Sequence, residues 1–186
     1  ETWNVLGKIS DRPGRGGDEP KCEELPDGSV ILSSRRNGRL FNIYRYTDVA
    51  TGKGEWLGEV NSEGQPGGIK VGNSTNGEIM LVKAIRKSDN AKVELALQSV
   101  PFGNGRKEVG FFFKEITEDQ YNNVVNLASN WTKGLQVSYK DAAYSTMTLQ
   151  KDHRIGFFFE EVPGGYCMVY VPLTIEKITS DAYMLD

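Results

Sequence analysis

The sequence predicts an all-β domain assembled from many short antiparallel strands. Three observations carry that expectation. Short runs of alternating or continuous apolar residues recur at close spacing along the 186 residues. Turn signals built on Gly, Asn, Asp and Pro separate them, and 21 glycines suit many tight turns. Helical patterning is confined to two brief stretches.

In chain order, strands are expected at Ser29–Ser33, Leu40–Tyr46, Gly77–Val82, Val93–Leu97, Val109–Phe113, Ser145–Leu149, Ile155–Phe159 and Tyr166–Val171. Between them lie PDG at 26–28, NG at 37–38, GKG at 52–54, NG at 76–77, SDN at 88–90 and PGG at 163–165. Segment 60–75 reads as a long polar loop. Thr117–Asp119 offers a capping start for two helical turns over Asp119–Leu127, and a last short turn of helix is expected after Thr174. The triplets Phe111–Phe113 and Phe157–Phe159 read as strand and core, and Lys83, Arg86 and Lys87 as a solvated strand end. No linker, low-complexity tract or heptad repeat interrupts residues 1–186, which read as part of a single domain.

Composition narrows the function. The chain is 38% apolar and 25% charged, with a net charge of −3. That balance argues against a nucleic-acid partner, which calls for a basic excess or stripe. No run approaches the roughly 20 apolar residues that span a bilayer. The opening ETWNVLGKIS has no signal-peptide pattern, and residue 1 is not Met, so the start of the gene product is expected upstream. Cys22 and Cys167 lie far apart without metal-ligand spacing and are expected as buried free thiols on strands. The single histidine, His153, reads as a loop residue, and one histidine makes no zinc site.

Many short strands fit a sandwich, a barrel or a propeller alike. The repeated polar turn, strand, turn and strand suggests four-stranded blades, and at roughly 40–50 residues per blade the chain supplies about four or fewer.

Three segments add a resemblance. DEPKCEELPDGSVILSSR, residues 18–35, holds Glu19, a Glu24-Leu25 and Asp27-Gly28 turn, and a strand ending in Arg35. ALQSVPFGNGR, residues 96–106, delivers Arg106, and AYSTM, residues 143–147, holds Tyr144. In this order they resemble the active-site motifs of bacterial sialidases, glycoside hydrolases that remove terminal sialic acid, and the resemblance runs over nearly the whole chain. It implies a six-bladed β-propeller of which this chain supplies roughly the C-terminal half. It implies that Tyr144 is the nucleophile, Glu19 the base that takes its proton, and Arg35 and Arg106 two of three arginines that hold the substrate carboxylate. Strand alternation favours Arg35 over its neighbour Arg36 as the inward one.

The implied roles make chemical sense. Sialic acid carries a carboxylate on its anomeric carbon, so a neutral tyrosine approaches where a carboxylate nucleophile meets like charge. A free tyrosine has a pKa near 10 and needs a base at neutral pH. Arginine grips a carboxylate with two parallel charge-assisted bonds, a fork that lysine lacks.

Some family parts are missing. The third arginine, in an R-I-P segment, and the acid/base aspartate belong N-terminal to the matched regions, and no R-I-P occurs here. Asp11 stands too close to Glu19 to replace that aspartate. The chain alone is therefore expected to be half a site and inactive or very weak. The family's structural Asp boxes are degenerate: Tyr46-Thr47-Asp48 leads to Gly54-Glu55-Trp56 with an insertion, and Glu1-Thr2-Trp3 is similar to a box tail. The implied partners are sialylated glycans and the N-terminal part of the propeller, the implied location is secreted or periplasmic, and no cofactor or metal is implied. A trans-sialidase, a glycan-binding propeller without chemistry, and a structural or partner-binding β-domain remain as alternatives.

Overall fold

The computed structural model describes residues 18–72, 75–162, 165 and 167–186. The first antiparallel sheet runs in chain order through β1 (Asp18–Glu24), β2 (Val30–Arg35), β3 (Arg39–Asp48) and β4 (Lys53–Asn61). The second follows the same plan with β5 (Ile79–Arg86), β6 (Ala91–Pro101), β7 (Val109–Ile116) and β8 (Thr132–Gln136). The third holds β9 (Asp141–Leu149), β10 (Ile155–Val162) and β11 (Cys167–Leu173). The chain then returns, and β12 (Tyr183–Leu185) adds to the free side of β5. Two short helices, α1 (Val124–Ala128) and α2 (Ile175–Ile178), fill corners between sheets. Among the described residues no helix is long and apolar enough to cross a membrane.

The three sheets pack face to face through two apolar layers. Between the first and second sheets lie Ile31, Phe41, Ile43, Ile79, Ala96, Val100 and Phe112, closed off by Leu127 and Trp131. Between the second and third lie Leu95, Leu97, Phe111, Phe113, Phe157 and Phe159. The second sheet is thus covered on both faces, which explains why β6 and β7 read as nearly continuous apolar runs. Phe111 meets Phe157 at a ring separation of 4.6 Å, and both are fully buried. Each such ring contributes about 1.5–3 kcal/mol through its burial.

All eight expected strands fall on observed ones. Four strands were not expected: β1, β4, β8 and β12. The helix expected over Asp119–Leu127 divides into a 3₁₀ turn at Glu118–Gln120 and α1, because Asn123 takes the N-cap and accepts the Asn126 N–H at 3.0 Å. Thr117 makes no backbone cap; its hydroxyl donates to Asp119 instead. Thr174 does cap α2, accepting from the Lys177 N–H. Segment 60–75 begins in β4, and among its described residues Ser62, Ile69, Val71 and Thr75 are buried while Glu63, Gly64, Pro66, Gly67 and Lys70 are exposed, so the loop is pinned at four points rather than wholly solvated.

Three smaller expectations need correction. Cys22 and Cys167 are free thiols on β1 and β11, as expected, but both are exposed, because these strands lie at sheet edges. Phe158 faces outward against Tyr170 while its two neighbours are buried, as strand alternation demands. Arg86 is not simply solvated: it grips Glu115 with Nε at 2.7 Å and Nη2 at 3.0 Å. His153 sits in a turn, with φ +65°. Asp48 closes the turn between β3 and β4 by accepting the Ala50 N–H and the Thr51 hydroxyl, and Trp56 packs edge-on against Tyr44. Glu1-Thr2-Trp3 and Asp11 lie outside the described residues, as does much of the PGG turn.

Candidate active site

Glu19 and Tyr144 each sit in an irregularity of an edge strand. In the pairing of β1 with β2, three steps from Asp18 to Lys21 face only two from Arg35 to Ser33. The extra residue is a β-bulge, a device that re-aims a side chain. Glu19 lies inside it with φ +46°, a left-handed conformation uncommon for a residue with a Cβ. On β9, three steps from Ala142 to Ser145 face two on β10 from Glu161 to Phe159, so a second bulge spans Ala143 and Tyr144. The bulges turn the two side chains toward each other across the gap between the first and third sheets.

Tyr144 donates its hydroxyl to Glu19 Oε1 at 2.6 Å. Arg35 Nη1 donates to the same oxygen at 3.1 Å, and the backbone N–H of Asn76 donates to Oε2 at 2.8 Å. Asp18 stands 3.9 Å from Arg35 Nη1 on the outer side. Arg106 lies in the loop between β6 and β7, and its carbonyl accepts the Ala142 N–H at 3.0 Å, which ties that loop to the start of β9. Its guanidinium carbon sits 5.2 Å from the centre of the Tyr144 ring, a cation–π stack. Arg35 is half-buried and Arg106 exposed, so both present charge at an open rim. Arg36, the alternative to Arg35, is exposed.

The electrostatics push the two groups apart in pKa. Burial pushes the Glu19 carboxyl up, but the Tyr144 hydroxyl, the Asn76 N–H and the charge of Arg35 together outweigh it and hold the pKa below the ordinary glutamate value. The hydrogen bond to Glu19, then burial, then the Glu19 charge push the Tyr144 phenol up, against the opposing pull of Arg106 and Arg35. At neutral pH the site therefore holds a carboxylate and a neutral phenol in direct contact. The contact lies inside the 2.6–3.2 Å range within which a carboxylate can take a proton from a hydroxyl.

Beneath the pair runs a polar seam that sequence reasoning missed. Arg39 and Ser33 from the first sheet, Gln98 and Ser99 from the second, and Ser145 from the third are all buried. Ser33 donates to Gln98 Oε1 at 2.7 Å, and the Ser99 and Ser145 hydroxyls meet at 2.9 Å. Beside it, Lys21, Glu78 and Thr146 join through Glu78 Oε2. A visible signal existed: serines, a glutamine and an arginine interrupt strands that are otherwise apolar. Gly77 allows the backbone there to approach the Ser99 carbonyl so closely that any Cβ collides with it. An outer hollow lined by Lys114, Asn126 and Tyr183 contains none of these groups.

Solved structures of low sequence identity share this architecture. The intramolecular trans-sialidase from Ruminococcus gnavus, solved with oseltamivir carboxylate, aligns over 87% of this chain at 16% identity and a TM-score of 0.59. A mutant of NanB sialidase from Streptococcus pneumoniae aligns over 87% of this chain at 19% identity and a TM-score of 0.64. The fold is that of the bacterial sialidases. The alignments cover 33% and 24% of those two chains, so this chain spans about a quarter to a third of their length. Its three sheets are accordingly blades of a sialidase-type β-propeller. No protein-family model matches the sequence, and no curated relative matches it.

Proposed function

We propose that this chain carries the tyrosine–glutamate half of the active site of an exo-acting, retaining α-sialidase. The observation that supports this most is the 2.6 Å hydrogen bond from Tyr144 to the Glu19 carboxylate, with one arginine on each partner. Tyr144 Oη attacks the anomeric carbon of a terminal sialic acid while its proton passes to Glu19. The bond from that carbon to the aglycone oxygen breaks, and the oxygen takes a proton from an acid outside the matched segments. Water then attacks the tyrosyl-linked sugar and gives one proton to the outside group, now a base after protonating the aglycone, while the bond to Tyr144 Oη breaks and Tyr144 recovers its proton from Glu19, so the configuration is retained. Arg35 and Arg106 hold the sugar carboxylate, whose charge otherwise repels Glu19. Sialylated glycans are then the substrates, and an extracellular or periplasmic location follows from where they occur.

The test is release of sialic acid from a fluorogenic sialoside by the full-length gene product. Its Tyr144→Phe variant and the 186-residue chain are assayed alongside. We expect turnover by the full-length protein, a loss of about 10³-fold or more in Tyr144→Phe, and silence from the chain alone. Arg35→Lys and Arg106→Lys keep the charge and lose the fork, and are expected to weaken kcat/KM by about 10²-fold. A folded full-length protein that binds sialosides without turning them over moves the reading to a glycan-binding propeller. Transfer to an added glycan in place of water moves it to a trans-sialidase.

A further inference from the structure

Arg39 is fully buried and lies on neither of the arginine positions assigned to the substrate. Its guanidinium is spent on protein atoms. Nε donates to the Ser33 hydroxyl at 3.1 Å, Nη2 to the Ser33 carbonyl at 3.1 Å, and Nη1 to the Thr75 carbonyl at 2.9 Å. Burial pulls its pKa down to about 9, with Glu19 and Glu78 pulling the other way, so it remains a cation at neutral pH.

The third contact has consequences in two directions. Thr75 is itself fully buried, and its hydroxyl donates to the carbonyl of Ala143, the residue before Tyr144, at 3.1 Å, shared with the Asn76 carbonyl at 3.3 Å. The next residue, Asn76, gives the backbone N–H that holds Glu19 Oε2. One anchored residue thus touches the chain carrying the tyrosine and precedes the donor holding the glutamate. Bulged strands need such support, because an irregular backbone has fewer ladder bonds to fix it. A guanidinium fork is suited to this task, since several directed bonds fix an orientation that a single bond leaves free.

We propose that Arg39 and Thr75 are positioning residues. The buried guanidinium anchors the Thr75 carbonyl, so that the Thr75 hydroxyl fixes the bulge bearing Tyr144 while the adjoining Asn76 N–H fixes Glu19. This rests on the reading that Glu19 and Tyr144 are the reacting pair, but its test does not require turnover.

The experiment compares wild type, Thr75→Val, Thr75→Ser and Arg39→Lys. Thr75→Val keeps the branched shape and removes one donor. Two titrations are recorded in the folded protein: the side-chain carboxyl carbon of Glu19 by NMR, assigned by its loss in Glu19→Gln, and the phenol of Tyr144 by ultraviolet difference against Tyr144→Phe. In wild type the hydrogen bond between them holds Glu19 low and Tyr144 high. In Thr75→Val we expect the two midpoints to move in opposite directions, Glu19 up and Tyr144 down, and Thr75→Ser to restore both. Arg39→Lys shifts them the same way. Where sialoside turnover is present, kcat falls by about tenfold in Thr75→Val with KM little changed, the loss expected for one misplaced hydrogen-bonded contact. A Thr75→Val protein that folds, loses thermal stability and keeps both midpoints overturns the proposal, since it shows the hydroxyl to be structural alone. Should Arg39→Lys fail to fold, the two Thr75 variants still decide. Opposite shifts in a protein that never turns over sialosides sink the sialidase reading and leave the positioning role standing. Turnover abolished by Tyr144→Phe with midpoints unmoved in Thr75→Val does the reverse.

Discussion

Arg39 and Lys114 are both buried cations that donate to backbone carbonyls, yet they serve different ends. Arg39 is sealed in the seam between blades beneath Glu19 and Tyr144. Lys114 Nζ reaches the carbonyls of Asn126 and Ser129, each at 2.7 Å, and that of Leu127 at 3.3 Å, with the Trp131 ring 5.8 Å away. It closes the C-terminal end of α1, where helix carbonyls lack internal partners and a cation is favoured. Burial pulls the Lys114 pKa down to about 8, with Asp119 opposing. A buried, perturbed cation is therefore no sign of a functional site by itself. Arg39 is tied to the Glu19–Tyr144 pair, whereas Lys114, 30 residues before Tyr144 in the chain, is tied to the end of α1.

The largest expected effect separates the two regions by activity. Glu19→Gln keeps the shape and the acceptor oxygen but loses the proposed base, and on the proposed mechanism turnover is expected to fall by about 10²–10⁴-fold. Lys114→Met is expected to leave turnover per folded molecule unchanged. An equal loss in both variants breaks the comparison, because it makes Lys114 part of the same machine. The next effect reverses the ranking. In urea unfolding, Lys114→Met is expected to lose about 1–3 kcal/mol, since the carbonyls at the end of α1 lose their donor while the cost of burying the charge is relieved. Glu19→Gln, at a half-exposed rim and in a strained backbone, is expected to change stability far less. A larger loss in Glu19→Gln than in Lys114→Met contradicts this.

The same contrast marks what sequence reveals. The eight legible strands carry their apolar side chains into layers covered by other sheets, so burial imprints a pattern on them. The four that were not read, β1, β4, β8 and β12, are the outermost strands of the first two sheets. An outer strand does not need an apolar run, and β1 reads DEPKCEE. Glu19 was therefore found by resemblance and not by pattern: its strand is too polar to announce itself. The bulges were equally silent, because an extra residue in one strand shows only when the pairing register is known. Thr75 fell at the end of what read as a polar loop and Asn76 in the NG turn signal at 76–77, and Asn76 contributes a backbone N–H, which any residue except proline supplies. Arg39, following the NG turn, resembles any charged strand start until the packing of two sheets encloses it.

The smallest expected effect is the pH dependence of stability, and its sign differs between the two regions. Lys114 binds its proton less tightly when folded than when unfolded. The cost of burying its charge is complete below about pH 8 and is relieved as pH rises toward the ordinary lysine value. Wild type should therefore gain stability relative to Lys114→Met between about pH 7 and about pH 10, by roughly 2–3 kcal/mol at most. Glu19 runs the other way. Its folded pKa is depressed, so its contribution is present above the ordinary glutamate value and is lost as pH falls through the lowered one. Wild type should lose its advantage over Glu19→Gln in that acid window and show none of the alkaline rise. Urea midpoints of the three proteins across both windows measure this. A flat difference between wild type and Lys114→Met on the alkaline side means that the Lys114 amine stays protonated there, held by its carbonyls firmly enough to cancel the cost of burial. The distinction between the two cations then rests on their connections alone and not on how their charge responds to the interior.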